Sequence, residues 1–408
     1  MHTKIEVRKM ESVKSERQPL PIKSWCRNVE ANAVKQAENL ARHPALRHHV
    51  ALMPDCHCGI GMPIGGVVAA SDAVIPAAVG VDIGCGMIAV ETDIPAEKLS
   101  DISFRRKIHT RIRKFIPAGE CQMHETPQEW DGFEQYLDAD KGELQFTAPI
   151  DRHDLGTLGG GNHFIEIQKS DAGFVWIMIH SGSRNLGKRI EETYHSKAVH
   201  LCERFYTSLP CTELAFLPIQ DPAGHNYFRD MTFAMRYAFE NRQRMMAICK
   251  EIIAEFIPGA KFIREVNIHH NYAAFEEHFG EKLCIHRKGA TSARLDETGI
   301  IPGSMGTASY IVRGLGNPES FMSCSHGAGR RMSRATANST LTVAECDEAM
   351  KGIVCDRWHP LLHRKNNTKL LDLSEAPQAY KDIDEVIAAE KDLVEVMVRL
   401  TPLAVIKG

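Results

Sequence analysis

Five glycine-rich segments, each carrying a candidate metal ligand or nucleophile, constrain this chain more than any other feature. They are MPDCHCGIGMPIGG (53–66), VGVDIGCGM (79–87), GTLGGGNHFIE (156–166), IHSGSRN (179–185) and CSHGAGR (324–330). A sixth, VNIHHN (266–271), lacks glycine. Glycine lets backbone approach a ligand closely and turn successive N–H groups toward an anion. A His or Cys held in such a loop is a better ligand candidate than one on a helix face.

Between these loops the chain alternates helical and extended texture. A helix is predicted around Glu30–His43. From Val50 the sequence turns rich in Gly, Ala, Val and Ile, and VVAAS and MIAVETDI read as buried strands, short β-branched runs between turn signals. Residues 97–115 read as helix. Residues 117–154 are acidic, with Glu120, Glu125, Glu129, Asp131, Glu134, Asp138, Asp140 and Glu143, and read as a solvated insertion. FIEI (164–167) and FVWIMIH (174–180) are strand candidates, and helical pattern returns at 185–206 and 227–256. Residues 262–335 go back to short strands and loops. A last helix is expected at Asp382–Leu400, with Val386, Leu393, Val396, Met397 and Leu400 as its core stripe. No repeat or low-complexity linker divides the 408 residues, so the expectation is one large α+β body.

The loop residues suggest chemistry. Asp82 and Cys85 sit in a glycine-bounded turn, with no other charge between Asp72 and Glu91. A carboxylate in so apolar a setting needs a partner. Either it caps the turn beside a buried thiol, or the two bind a transition metal with imidazoles completing the shell. His163 opens one strand candidate and His180 closes the next, so antiparallel pairing would bring the rings together. His269 and His270 are consecutive and point opposite ways on an extended segment, so only one can join the same centre. In CSHGAGRRMSR, Arg330, Arg331 and Arg334 follow His326, and no acid lies between Glu319 and Glu345. Arginines grip phosphate bidentately, and a histidine beside such a cradle can attack phosphorus, although a basic surface loop would look the same.

Composition narrows the classes. Twelve cysteines include no CxxC pair, which argues against a zinc ribbon, and no apolar run approaches a spanning helix or a signal peptide. The expectation is a cytosolic protein with reduced thiols and no membrane role. A net charge of −3 leaves any nucleic-acid binding to local patches. One such patch is Lys351–Lys369, with Lys351, Arg357, His359, His363, Arg364, Lys365 and Lys369. Gly182–Lys188 nearly spells a P-loop, but Arg189 stands where Ser or Thr should bind magnesium, and no KxDG nucleotidyltransferase motif is present.

In this order, PDCHCGIGMPIGG, VGVDIGCG, LGGGNHFIE, HSGSR, HHN, PGSMGTASY, SCSHGAGR, YKDI and a terminal KG resemble the RtcB family of RNA ligases. The resemblance runs from about residue 50 onward, leaving 1–45 as an N-terminal extension and 117–154 as an insertion. It implies an α+β fold with a deep pocket holding two manganese ions: Cys85 contacts both, Asp82 and His270 serve one, and His163 and His180 the other. It implies that His326 attacks the α-phosphorus of GTP. Asn162, Glu166, Ser304, Ser309, Gly327, Ala328, Gly329, Tyr380 and Lys407 would line the nucleotide pocket, and Arg330 and Arg334 would hold RNA phosphate. A 2′,3′-cyclic phosphate or 3′-phosphate RNA end would then be joined to a 5′-hydroxyl end through an RNA–ppG intermediate. Such ends arise in tRNA splicing or in repair of tRNA or ribosomal RNA. An activating protein or a release-factor-like partner is associated with parts of the family.

Two other readings stay open at this stage: a manganese phosphoesterase or nuclease, and a non-catalytic RNA-binding module. Cys56 and Cys58 flank His57 where many family members carry other residues, and extra thiols there would make the site oxidation-sensitive.

Overall fold

The protein is seen in a computed structural model that describes residues 18–138, 152–205, 207–356, 358–362 and 369–408. Two mixed-length sheets organise the mixed α+β body. The larger runs, edge to edge, Thr298–Ile301, Ser309–Gly314, Val394–Lys407, Phe164–Ser170, Phe174–Ser181, Gly86–Pro95 and Phe262–His269, all antiparallel. The smaller runs Ile22–Ser24, Leu46–His57, Ile64–Ala70, Glu281–Lys288 and Asn271–His278; its first pair is parallel.

The strands Leu46–His57, Ile64–Ala70, Gly86–Pro95, Phe164–Ser170 and Phe174–Ser181 are buried on both faces along most of their length, which explains why they read as apolar runs rather than alternating ones. In the larger sheet Ile88, Val90, Ile177 and Ile179 pack under the helices Ile102–Phe115 and Pro222–Phe256, while Met87, Ala89, Trp176 and Met178 form a second core on the opposite face. In the smaller sheet Val50, Leu52, Val68 and Ala70 meet the helices Ala31–Ala41 and Leu186–Arg204. The long helix starts five residues before its expected position, because Asp221 accepts the Ala223 N–H at 2.8 Å and Pro222 fits the first turn.

The chain passes from the edge strand of one sheet to the edge strand of the other through a single residue, His270, between Phe262–His269 and Asn271–His278. The two sheets meet there, and the glycine-rich loops gather at this junction.

One expectation is corrected and one is extended. The terminal helix spans only Ile383–Ala389, and Val394–Lys407 is a strand at the centre of the larger sheet. Val394, Val396, Val398 and Leu400 satisfy a period of two as well as a helical stripe, and β-branching decides for the strand. Val396 and Met397 are 42% and 44% exposed, so they are not core. Pro402 is tolerated because the pairing with Phe164–Ser170 breaks register beside it. Glu120, Glu125, Glu129, Asp131 and Glu134 of the acidic segment are exposed, as expected, but the segment is also docked on the body through its aromatic residues. Helix Asp131–Asp138 buries Phe133 against Phe233 and Tyr237, and Tyr136 donates to the buried Asp230 carboxylate at 2.6 Å. Asp140 and Glu143 lie outside the described residues, as do Arg357, His363, Arg364 and Lys365; Lys351 and His359 are exposed.

Candidate functional site

The strands Phe164–Ser170 and Phe174–Ser181 pair as expected, with Phe164 opposite His180, so the His163 and His180 rings lie 5.2 Å apart. Each ring is oriented from behind: His163 Nδ1 donates to the Leu158 carbonyl at 3.0 Å and His180 Nδ1 to the Asn162 carbonyl at 3.3 Å. Those contacts hold Nδ1 of each ring against the wall and turn Nε2 toward the cluster. Cys85 Sγ lies 3.5 Å from His163 Nε2 and 3.2 Å from His180 Nε2. Asp82 Oδ2 is 3.2 Å from His163 Nε2, and His270 Nε2 is 3.4 Å from His180 Nε2. All five predicted ligands therefore converge, with donor atoms of Cys85, His163 and His180 within 4.8 Å of one another.

The parity argument for His269 and His270 holds. His269 turns away to the Gly84 carbonyl at 2.8 Å and to Arg242, while His270 faces the cluster. Gly86 makes this approach possible: a Cβ there would lie 1.9 Å from the Ile268 carbonyl oxygen. Two buried residues of the long helix tie the loops together. Arg242 donates to the carbonyls of Gly84 at 3.0 Å and Ser181 at 2.9 Å. Asn241 accepts from the Gly156 and Thr157 N–H groups and donates to the Gly182 carbonyl. Nothing in the sequence marked this pair.

The electrostatics fit a cation. Burial, reinforced by neighbouring rings, holds His180 and His270 well below the usual imidazole range, so both present lone pairs. Burial and the adjacent Asp82 push the Cys85 thiol well up. Enclosure opposes ionisation of Asp82, but the His163 hydrogen bond and charge outweigh it and keep the carboxyl at about 2. A buried thiol and three buried imidazoles, with the half-buried Asp82 carboxylate, would suit a divalent metal, whose charge would favour loss of the thiol proton. Sulfur, nitrogen and oxygen donors together suit a transition metal.

Beyond the cluster a pocket of about 330 Å³ opens. It is lined by Asp82, Cys85, Asn162, Glu166, His180, His270, Ser304, His326 through Arg330, Arg334, Tyr380 and Lys407. Of the sequence-predicted residues only His163 and Ser309 lie behind its wall. Ser309 accepts from Gln168 at 3.1 Å and from the Gly303 N–H at 3.2 Å. Burial pushes the Glu166 carboxyl up to about 8, against the opposing pull of the Gln168 N–H and Lys407.

His326 follows the short strand Ser323–Ser325, and its ring lies 4.9 Å from that of His270. Its Nδ1–H donates to Asp55 Oδ2 at 2.5 Å, and its backbone N–H reaches the same oxygen at 3.2 Å. Asp55 is fully buried on the strand Leu46–His57. Gly329, at φ +71°, lets the cradle pass over Asp55, whose carbonyl oxygen would lie 2.2 Å from a Cβ.

Sequence reasoning missed Asp55, although PDC was in view, and Glu375. Glu375 sits among the cations expected to hold phosphate and guanine: Arg330 Nη1 at 3.1 Å, Arg334 Nε at 3.2 Å and Lys407 Nζ at 3.3 Å, with the Tyr380 hydroxyl donating to it. Burial would raise its carboxyl, but Lys407, Tyr380 and the two arginines more than offset this. Burial raises both the Cys56 and the Cys58 thiol; Cys56 is almost fully enclosed, whereas Cys58 is exposed.

A family model described as "tRNA-splicing ligase RtcB" matches residues 36–408. The RNA-splicing ligase RtcB of Escherichia coli (strain K12) is 39% identical over 95% of this chain and 97% of its own length. The tRNA-splicing ligase RtcB of Nanoarchaeum equitans is 32% identical over 93% and 92%. The RNA-splicing ligase RtcB of Mycobacterium tuberculosis is 31% identical over 91% of this chain and all of its own length. With that coverage and a matching site, the chain belongs to the RtcB family.

Proposed function

We propose that this protein is a GTP-dependent RNA ligase that joins a 3′-phosphate end, or a 2′,3′-cyclic phosphate end once hydrolysed, to a 5′-hydroxyl end. The observation that carries the reading is the Asp55-held His326 in one pocket with the Cys85 cluster. Two manganese ions held by Cys85, Asp82, His163, His180 and His270 would supply positive charge at the reacting phosphorus. With its Nδ1–H committed to Asp55, His326 has Nε2 free as the nucleophile. Nε2 attacks the α-phosphorus of GTP and pyrophosphate leaves. The ring becomes cationic, and Asp55 offsets that charge. An RNA 3′-phosphate oxygen then attacks the same phosphorus and frees His326, leaving an RNA–ppG end. The 5′-hydroxyl attacks the RNA phosphate, GMP leaves and a phosphodiester forms. Glu166 accepts guanine N–H groups, Lys407 donates to the guanine carbonyl, and Arg330 and Arg334 exchange Glu375 for RNA phosphate. The relatives' names point to tRNA as a substrate.

The test is incubation with α-labelled GTP and Mn²⁺, then electrophoresis under denaturing, neutral-to-alkaline conditions, because a phosphoramidate is acid-labile. Label on the unaltered protein and none on His326→Ala is the expected result. Absence of label on folded, manganese-loaded protein would sink the reading and favour a phosphoesterase.

A further inference from the structure

The helix Ile102–Phe115 carries Arg105, Arg106, Lys107, Arg111, Arg113 and Lys114, and no acidic residue lies between Asp101 and Glu120. In a chain of net charge −3 this is a marked local excess. Arg105, Ile108, His109 and Ile112 face the body. Arg106, Lys107, Thr110 and Lys114 are exposed, with Arg111 and Arg113 half-buried beside them. At 100° per residue these positions share one broad arc of the helix.

A solvated helix face normally interleaves acids at i+4. Here the ion pairs come from other segments: Arg111 to Glu255 at 3.2 Å and Arg113 to Asp356 at 3.0 Å. Lys107 and Lys114 have no ion pair among the described residues. The surface is also concave, because Arg106, Thr110, Arg113, Lys114 and Asp356 line a groove of about 510 Å³.

The helix lies against the strand that ends at the pocket. Arg113 Nη1 donates to the Lys407 carbonyl at 3.4 Å, and Arg105 to the Leu403 carbonyl at 2.9 Å. The basic helix therefore packs on the strand that carries Lys407 into the site. An anionic membrane fits less well. The exposed apolar residues, Ile102 and Phe115, lie at opposite ends, and the Arg111 guanidinium covers the Phe115 ring at 4.5 Å.

We propose that this helix face binds the phosphodiester backbone of the RNA flanking the break and so presents the broken ends to His326; this rests on the ligase reading above. Binding is by charge and shape, without base readout. The test compares the full protein with Lys107→Gln/Lys114→Gln and Lys107→Arg/Lys114→Arg variants. Affinity for a stem RNA with 3′-phosphate and 5′-hydroxyl ends is read by anisotropy across a salt series. The Gln variant should bind more weakly, with a plot of log affinity against log salt shallower by about 2, while the Arg variant binds as the unaltered protein does. Labelling of His326 by GTP, which needs no RNA, should be unchanged in both. Unchanged RNA affinity and slope in the Gln variant would overturn the proposal, as would loss confined to phosphatidylserine vesicles. Binding needs no turnover, so a protein that takes no label yet binds RNA through this face would overturn the ligase reading alone.

Discussion

Asp55 and His326 are joined twice, through the ring Nδ1 at 2.5 Å and the backbone N–H at 3.2 Å, both to one carboxylate oxygen. The ring contact fixes the tautomer, and the backbone contact holds the residue so that the ring keeps its position. An amide at position 55 can present either its oxygen or its NH₂ group. Asp55→Asn should therefore slow nucleotide transfer to His326 by about a hundredfold or more, with folding retained. Rapid-quench labelling alongside circular dichroism measures both. An unchanged rate would show that the carboxylate does not set the nucleophile.

Cys85 lies between the two histidine rings and cannot be replaced by another side chain in the cluster. Cys85→Ser keeps the shape and removes the soft donor. We expect manganese affinity, measured by calorimetry or electron paramagnetic resonance, to fall about a hundredfold, and chelation of the unaltered protein to abolish labelling reversibly.

Glu166 sets a pH dependence on nucleotide binding. Its carboxyl, raised to about 8 by burial, is protonated in the free protein near pH 7, whereas the proposed guanine recognition would use the carboxylate. The KM for GTP should fall as pH rises from about 6.5 toward 8, by at most about tenfold per pH unit. Glu166→Gln should flatten that profile, and a slope that survives the substitution would remove Glu166 from guanine recognition.

Glu390 makes a matching prediction for stability. It is fully buried, accepts the Ser325 N–H at 2.9 Å and meets the Ser325 hydroxyl at 2.5 Å, one residue before His326. Burial raises its carboxyl from 4.5 to about 8, partly opposed by those bonds. The folded protein then holds a proton that the unfolded chain releases. The stability this contributes is complete below about pH 4.5 and declines as pH rises through about 8. Between about pH 6 and 8 the unaltered protein should lose about 2 kcal/mol more than Glu390→Gln. Denaturant melts at the two pH values test this, and equal losses would count against a neutral Glu390.

Gly86 has no room for a side chain against Ile268. Gly86→Ala must part the strands Gly86–Pro95 and Phe262–His269 next to Cys85 and His270, at a cost of about 3 kcal/mol. Thermal unfolding should show a clear drop in Tm together with weakened manganese binding. A stable, metal-competent variant would mean that the strands adjust freely.

Much of the site was legible because glycine-bounded His, Cys and Asp residues stand out of an apolar background, and because strand alternation separates His269 from His270. Asp55 escaped notice because its role depends on a contact with His326 from a distant part of the sequence. Glu375 lies in an ordinary acidic stretch, and its pairing with Arg330 and Lys407 exists only after folding. The final strand was misread because its apolar spacing satisfies two periods at once. The acidic side chains are exposed as expected, but composition hid Trp130, Phe133 and Tyr136, the residues that dock the segment.

His270 is the one residue between the edge strands of the two sheets, and the rest of the cluster comes from loops around it and, for His180, from the end of the strand Phe174–Ser181. No local stretch of chain can form this centre, so it assembles only after both sheets are built and docked. An ion bound there would act as a rivet across the seam, adding its binding energy to the stability of the docked pair of sheets.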